Sequence, residues 1–131
     1  MTPKTLSKKI AELALTKKAY NVLIVDLRKL TDMTDFFVIC SADSDTQVKA
    51  IADAIAEGTI KFGQPVWHSE GLEQRNWVLL DYVDVVVHVF LKELRKFYGL
   101  ERLWGDAKIE VVEDKPATVQ TYSKKRPTKK K

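Results

Sequence analysis

The sequence is poor in the residues on which several classes of function depend. It has one cysteine, two histidines and five glycines among its 131 residues. A single cysteine cannot form an internal disulfide, the histidines lack the spacing of a metal site, and the scattered glycines form no phosphate-binding loop. We therefore expect no disulfide framework, no bound metal and no cofactor. Cys40, within FFVIC, is expected to be an inert residue of the core.

Long apolar runs are also missing. No segment approaches the roughly 20 apolar residues that cross a bilayer, and the N-terminal residues MTPKTLSKKI contain no apolar signal core. We expect a cytoplasmic protein without a membrane partner. Its length suits one domain with one core, and 45% hydrophobic with 31% charged residues is typical of a globular chain.

The net charge of +4 is distributed unevenly. The last eight residues, KKRPTKKK, contain six of the 22 Lys and Arg residues, so residues 1–123 carry a net charge of −2. Such a basic tail is typical of a solvated, disordered end, but it could also add salt-sensitive attraction to RNA phosphates. We divide the chain into a domain at residues 1–112 and a disordered basic tail at residues 113–131.

Apolar periodicity and capping residues predict the main elements. Thr2 and Pro3 begin a helix that extends to about Ala19, and Ser44 with Gln47 forms a capping box for a second helix that Gly63 ends. A third helix follows at residues 91–98. Strands are predicted at residues 21–27, 36–40, 77–80, 85–90 and 108–114, with another beginning within residues 65–71. This order predicts an α/β fold, a single-domain sandwich with a mixed β-sheet flanked by helices.

The segment SADSD contains Asp43 and Asp45, a pair that superficially matches the magnesium-binding acids of nucleotidyltransferases. The pair lies between a strand and a helix, where short polar side chains satisfy otherwise unpaired amides. We favour capping over catalysis for these two residues.

The stretch WVLLDYVDVVVHVF, residues 77–90, predicts a hairpin with chemically different faces. If Tyr82 and Val83 form a two-residue loop, Asp81 faces Asp84 and Trp77 faces His88. One face then contains only Val and Leu, whereas the other is mixed: Trp77, Leu79, Asp81, Asp84, Val86 and His88. Acids facing one another destabilise a sheet, and a basic neighbour would relieve that cost. The mixed face is either a protein-binding patch or a core face covered by a helix.

Four segments together resemble the ribosomal silencing factor family, also called iojap-like proteins. They are TDFFVICSADSDTQVKAIADAI, the pair Glu70 and Gly71, WVLLDYVDVVVHVF, and RKFYGLERLWGDA. The similarity extends in order from about Leu6 to Ala107. Val83 replaces the glycine of the family's usual hairpin, and a β-branched residue resists positive φ, so this turn is either strained or of another type. Ala42 replaces a glycine that many members have.

The resemblance implies a nucleotidyltransferase-like fold lacking the catalytic acids, and a homodimer in isolation. It implies binding to the large ribosomal subunit through ribosomal protein number fourteen, and a steric block to association with the small subunit that represses translation under nutrient limitation. No reaction is involved. The matching positions that we take as the contact region are Trp77, Asp81, Asp84, His88, Arg95, Tyr98, Glu101, Leu103 and Trp104.

Two other functions remain open. A metal-dependent nucleotidyltransferase would require magnesium-dependent nucleotide binding. An RNA-binding module would lose its affinity when residues 124–131 are removed, whereas a silencing factor would gain from this tail at most a weak contact with ribosomal RNA.

Overall fold

The computed structural model describes residues 1–98, 105, 107–112 and 119–122. Within them the chain forms three helices and seven strands. In chain order they are α1 (Pro3–Leu15), β1 (Tyr20–Asp26), β2 (Phe36–Ala42), α2 (Asp45–Ile60), β3 (His68–Glu70), β4 (Trp77–Asp81), β5 (Val85–Leu91), α3 (Lys92–Tyr98), β6 (Lys108–Val112) and β7 (Val119–Tyr122). No helix among these residues is long and apolar enough to cross a membrane.

Helix α1 begins as predicted but ends four residues early. The side chain of Thr2 accepts a hydrogen bond from the N–H of Thr5, and Pro3 occupies the first turn. After Leu15 the chain leaves the helix through Lys18, whose φ is 65°. The N–H of Ala19 then donates to the carbonyl of Ala14 at 3.2 Å, a bond characteristic of helix ends with a left-handed residue. Such ends usually carry glycine, so no residue of the sequence marked this one.

The predicted cap of α2 forms, and it also ties two elements together. The side chain of Ser44 accepts a hydrogen bond from the N–H of Gln47 at 3.2 Å. The Gln47 side chain accepts from the N–H of Asp43, at 2.7 Å, rather than from that of Ser44. Its amide nitrogen donates to the carbonyls of Lys17 and Lys18 at the end of α1. One side chain therefore joins the ends of both helices.

The sheet is mixed, as predicted, and its strand order is β3-β4-β5-β2-β1-β6-β7. Strands β2 and β5 run parallel, and every other neighbouring pair of described strands is antiparallel. Helices α1 and α2 cover one face of the sheet. The larger apolar cluster lies between them and the sheet and includes Ile10, Val38 and Ile55. Leu94 of α3 packs on the other face against a smaller cluster of Val25, Leu27, Ile39 and Phe90. Helices therefore flank the sheet on both sides, in a single α/β domain.

Strand β7 differs from what the sequence indicated. Residues 113–131 were expected to be disordered, but Val119–Tyr122 pairs antiparallel with β6 at the edge of the sheet. The expectation of disorder is therefore wrong for these four residues. The basic residues 124–131 lie outside the described residues, and the division into domain and tail remains a prediction.

Candidate partner-binding surface

The hairpin of β4 and β5 has a different register from the predicted one. Its two-residue loop is Val83 and Asp84, because the N–H of Tyr82 donates to the carbonyl of Val85 at 2.8 Å. Asp81 therefore lies opposite Val86, and the predicted opposition of Asp81 and Asp84 is wrong. The predicted pairing of Trp77 with His88 is also wrong, since Trp77 lies opposite Phe90 and His88 opposite Leu79.

The revised register keeps most of the mixed face together. Strand alternation places one set of side chains on the sheet face away from α1 and α2. We call this set the mixed face; it consists of Trp77, Leu79, Asp81, Val86, His88 and Phe90. Phe90 joins the predicted set, and Asp84 leaves it for the loop. The opposite face carries Val78, Leu80, Val87 and Val89, as expected, with Tyr82 and Val85 beside the loop.

A hydrogen bond joins Trp77 and His88 although they are not directly opposite. The indole Nε1–H donates to Nδ1 of His88 at 3.1 Å. A neutral imidazole that accepts through Nδ1 carries its proton on Nε2. His88 is only 4% exposed, and burial lowers the pKa of its imidazole from 6.5 to about 4. The ring is therefore neutral near pH 7, and Trp77 fixes its tautomer.

The second ring nitrogen of His88 differs from the first in its hydrogen bonding. Nε2 is buried and has no hydrogen-bond partner among the residues that the structure describes. A buried donor without an acceptor typically costs about 1–3 kcal/mol. The Phe37 ring lies edge-to-face against the His88 imidazole, with the two ring centres 4.6 Å apart. His88 is thus a core residue whose Nε2 lacks a hydrogen bond from the described part of the chain.

Aromatic side chains pack together at the centre of the mixed face. The rings of Trp77 and Phe90 stack with their centres 4.9 Å apart, and Phe90 is fully buried. Trp77, Leu79, Asp81 and Val86 remain partly exposed. The face is therefore neither purely core nor purely surface, because a buried aromatic layer supports a partly exposed apolar strip.

Two acids lie at the loop end of this strip. One Asp81 side-chain oxygen accepts a hydrogen bond from the N–H of Val83 at 2.7 Å, and Asp84 is exposed. Val83 has a φ of 76°, so the turn is strained, one of the two outcomes expected from the missing glycine. The Asp84 carbonyl accepts from the N–H groups of Asp35 and Phe36, which ties the loop to β2.

Arg95 is positioned by α3 but is not a surface residue. It is 8% exposed, and its guanidinium donates to the Ser41 hydroxyl at 2.9 Å and to the Asn21 carbonyl at 2.5 Å. These bonds join α3 to β1 and β2. The backbone of Tyr98 lies in α3, whereas Glu101, Leu103 and Trp104 lie outside the described residues.

The other candidate residues have structural partners. Asp43 accepts a hydrogen bond from the Tyr20 hydroxyl at 2.8 Å, and burial together with this bond raises the pKa of Tyr20 to about 12. Asp45 accepts from the N–H of Thr46 in the first turn of α2. Cys40 is fully buried, as predicted, and burial raises the pKa of its thiol to about 12.

No group of three or more His, Cys, Asp or Glu residues that could hold a metal ion occurs in the part of the chain that the structure describes. His68 pairs instead with Glu70, Nε2 to Oε2, at 2.9 Å.

Sequence reasoning missed Phe37, Ser41 and Phe90. Because side chains alternate between the two faces of a strand, the sequence could have placed Phe90 on the same face as His88, which lies two residues earlier. Phe37 and Ser41 belong to β2, and only the parallel pairing of β2 with β5 brings them to this face.

A profile of the family described as "Ribosomal silencing factor during starvation" matches residues 1–131. The chain is similar to "Ribosomal silencing factor RsfS" of Bacillus subtilis (strain 168), with 42% identity over 107 residues, 82% of this chain and 91% of that protein. It is also similar to "Protein Iojap, chloroplastic" of Zea mays, with 36% identity over 75% of this chain and 42% of that protein.

Solved structures agree in fold. The crystal structure of protein CV0518 from Chromobacterium violaceum superposes with a TM-score of 0.78 at 36% identity, covering 80% of this chain and 88% of that one. A crystal structure from Bacillus halodurans gives a TM-score of 0.70 at 39% identity, covering 77% of this chain and 94% of that one.

Proposed function

The chain belongs to the ribosomal silencing factor family, and we propose that it binds the large ribosomal subunit and prevents its association with the small subunit. The family profile, which matches residues 1–131, is the observation that carries this proposal. In the proposal the contact is made through ribosomal protein number fourteen, and translation is repressed when nutrients are scarce. Starvation is named in the description of the family.

The mixed face has the chemistry of a protein contact. Its partly exposed centre consists of Trp77, Leu79 and Val86, and the acids Asp81 and Asp84 lie at one end. An apolar centre with an aromatic anchor and a polar rim is typical of protein interfaces. Because both rim residues are acidic, basic side chains on the ribosomal partner would complement them.

The buried residues of the proposed surface act indirectly. His88 orients the Trp77 indole through the 3.1 Å hydrogen bond, and Arg95 holds α3 against β1 and β2. We propose that these two position the surface while Trp77, Asp81 and Asp84 contact the partner. Tyr98, Glu101, Leu103 and Trp104 complete the proposed contact region on the basis of their match to the family's sequence.

The proposed mechanism is occlusion. A bound protein at the face that the small subunit must approach prevents joining without a reaction or a cofactor. In the free state we propose a homodimer in the cytoplasm, and at most a weak, salt-sensitive contact of the basic tail with ribosomal RNA.

Sedimentation with purified ribosomal subunits tests the proposal. The protein should migrate with the large subunit and not with the small one, and adding it before the subunits are mixed should reduce the fraction of joined ribosomes. Binding to neither subunit, or binding without any effect on joining, would contradict the proposal.

Substitutions then locate the surface. Trp104→Ala should weaken binding by about 2 kcal/mol, roughly thirtyfold, whereas Asp84→Asn should act less and mainly on the association rate. Asp53→Asn is a matched control, since Asp53 lies partly exposed on α2 and pairs with Lys49. Circular dichroism and size exclusion establish that each variant is folded. If folded variants at Trp77, Asp84 and Trp104 all bind and block joining as the parent does, the contact lies elsewhere.

A further inference from the structure

The loops at one end of the sheet contain more acids than bases. Four carboxylates lie in the β1–β2 loop or at the β4–β5 turn, each at least partly exposed, and none forms an ion pair in the part of the chain that the structure describes. We call this group the acidic end; it consists of Asp32, Asp35, Asp81 and Asp84. Asp26 at the same end is neutralised by Arg28 at 2.7 Å, and the nearby Lys29 and Lys108 offset two of the four charges. The acidic end therefore keeps a net negative charge.

The β1–β2 loop has two further features that are typical of a surface covered by another segment. Backbone bonds from Asp35 and Phe36 to the Asp84 carbonyl, at 2.9 and 3.1 Å, hold this loop against the β4–β5 turn. Thr34 is only 7% exposed, and its hydroxyl has no hydrogen-bond partner among the described residues. Met33, beside it, is 86% exposed. A buried hydroxyl without a partner and a large exposed apolar side chain both require an explanation.

The sheet brings the basic residues 124–131 out at this same end. One row of paired residues crosses the sheet from β7 to the acidic end: Tyr122, Ile109, Val25, Phe37, Val86 and Asp81. Tyr122 is the last residue of β7, and β7 runs toward the end of the sheet at which β1 finishes and β2 begins. The chain therefore leaves β7 in the direction of the loops that contain the four acids.

We propose that residues 124–131 dock on the acidic end of their own chain. The six Lys and Arg residues of KKRPTKKK are complementary to its carboxylates. From β7 to β5 there are four strand spacings of about 4.8 Å, about 19 Å in all. Residues 123–131 span about 30 Å when extended, so the segment reaches Asp84.

Attachment to β7 makes weak contacts sufficient. A short tether keeps the local concentration of the segment in the millimolar range, so exposed ion pairs that are weak between separate molecules are populated within one chain. The aliphatic stems of lysine side chains can also cover Met33 while their ammonium groups reach the acids. Because the charges are exposed, the docking is sensitive to salt.

The docked segment covers Asp81 and Asp84, which also belong to the proposed ribosomal contact, and it leaves them when that partner binds. The inference goes beyond the proposed function and does not depend on it, because its test uses the free chain without ribosomes.

Paramagnetic relaxation in nuclear magnetic resonance spectra tests the docking. A nitroxide is attached to the ¹⁵N-labelled full chain at Thr128→Cys, and the native Cys40 is fully buried and stays unmodified. At low salt the backbone amide signals of residues 30–35 and 82–84 should be broadened. Those of residues 16–20, at the opposite end of the sheet, should not. In about 1 M salt, where the screening length is about 3 Å, the broadening should disappear.

Charge exchange identifies the contact. Asp32→Lys combined with Asp84→Lys makes the acidic end positive and should abolish the broadening at low salt. Changing Lys129, Lys130 and Lys131 to Glu in the parent should also abolish it. The two sets of substitutions together restore opposite charges and should recover the broadening. The matched control is Glu12→Lys with Glu57→Lys, which makes the same change in net charge at exposed acids of α1 and α2 and should leave the broadening intact.

The spectra also show whether each variant is folded. Absence of selective broadening at low salt, broadening that survives Asp32→Lys with Asp84→Lys, or its loss in the control would overturn the proposal. A tenfold excess of chain without ¹⁵N and without nitroxide should leave the signals unchanged. If the excess removes the broadening, the segment docks on a second copy, and docking within one chain is refuted.

Discussion

Val83 offers the sharpest test of the hairpin geometry. Its φ of 76° places a β-branched residue in the left-handed region, and the residue is 53% exposed. Only glycine adopts this backbone conformation without a steric cost. We therefore compare two substitutions, Val83→Gly and Val83→Ala. Both substitutions remove most of the valine side chain, so both lose nearly the same amount of buried surface. The difference between their free energies of unfolding therefore reports the cost of the backbone conformation.

The expected difference follows from two opposing effects. A left-handed backbone costs a residue with a Cβ about 1–2 kcal/mol, which alanine bears and glycine does not. Alanine gains about 0.4–1 kcal/mol over glycine because its unfolded chain has less conformational freedom to lose. The net expectation is that Val83→Gly is more stable than Val83→Ala by about 1 kcal/mol.

The same pair of substitutions at Val86 provides the control. Val86 lies within β5 and is not among the described residues with positive φ, so alanine should be more stable than glycine there. Urea unfolding followed by circular dichroism measures all four free energies of unfolding. If alanine is the more stable substitution at both positions, the backbone at Val83 is not left-handed, and the strained turn is refuted.

Three further predictions concern Gly71, His88 and the basic tail. Gly71→Ala should lower the free energy of unfolding by about 2 kcal/mol or more, because its Cβ would meet a backbone oxygen, whereas Gly63→Ala shares the positive φ but meets nothing within 4 Å and should cost about 1 kcal/mol in the same urea titration. The lowered pKa of His88, about 4 against 6.5, means that between these values the unfolded chain binds a proton that the folded chain does not, so stability falls as pH falls. Between pH 7 and pH 5 the free energy of unfolding should fall by about 2 kcal/mol because of His88. The substitution His88→Gln should abolish this decrease, whereas His68→Gln, at an exposed histidine, should leave it in place. Deleting residues 124–131 should leave selectivity for the large subunit intact in cosedimentation and at most make binding less salt-sensitive, whereas loss of binding at low salt would make the tail the main anchor.

Local chemistry made much of the fold predictable. Thr2 with Pro3 and Ser44 with Gln47 marked the helix starts, since short polar side chains there bond to nearby amides. Apolar periodicity located α2, and short β-branched runs located β1, β2 and the hairpin strands. These signals lie within a few residues of one another, so they need no information from distant parts of the chain. The left-handed residue Lys18 had no such signal, and the end of α1 was predicted too late.

The pairing register of the β4–β5 hairpin was harder to predict from the sequence. A shift of the loop by one residue, from Tyr82 and Val83 to Val83 and Asp84, moved Asp84 off the mixed face and removed its opposition to Asp81. Both registers keep the aliphatic residues on one face, so hydrophobic pattern alone could not distinguish them. The bonds from Asp35 and Phe36 to the Asp84 carbonyl fix the loop against β2.

By itself the sequence determined the family, the α/β class and the residues available for a contact surface, because these depend on residue identity and local pattern. Tertiary structure alone decided which of them are surface. His88 and Arg95, polar and apparently available, are buried, while Trp77 stays partly exposed above Phe90. Burial depends on what distant segments place over a residue, and here the parallel pairing of β2 with β5 brings Phe37 and Ser41 to the same face.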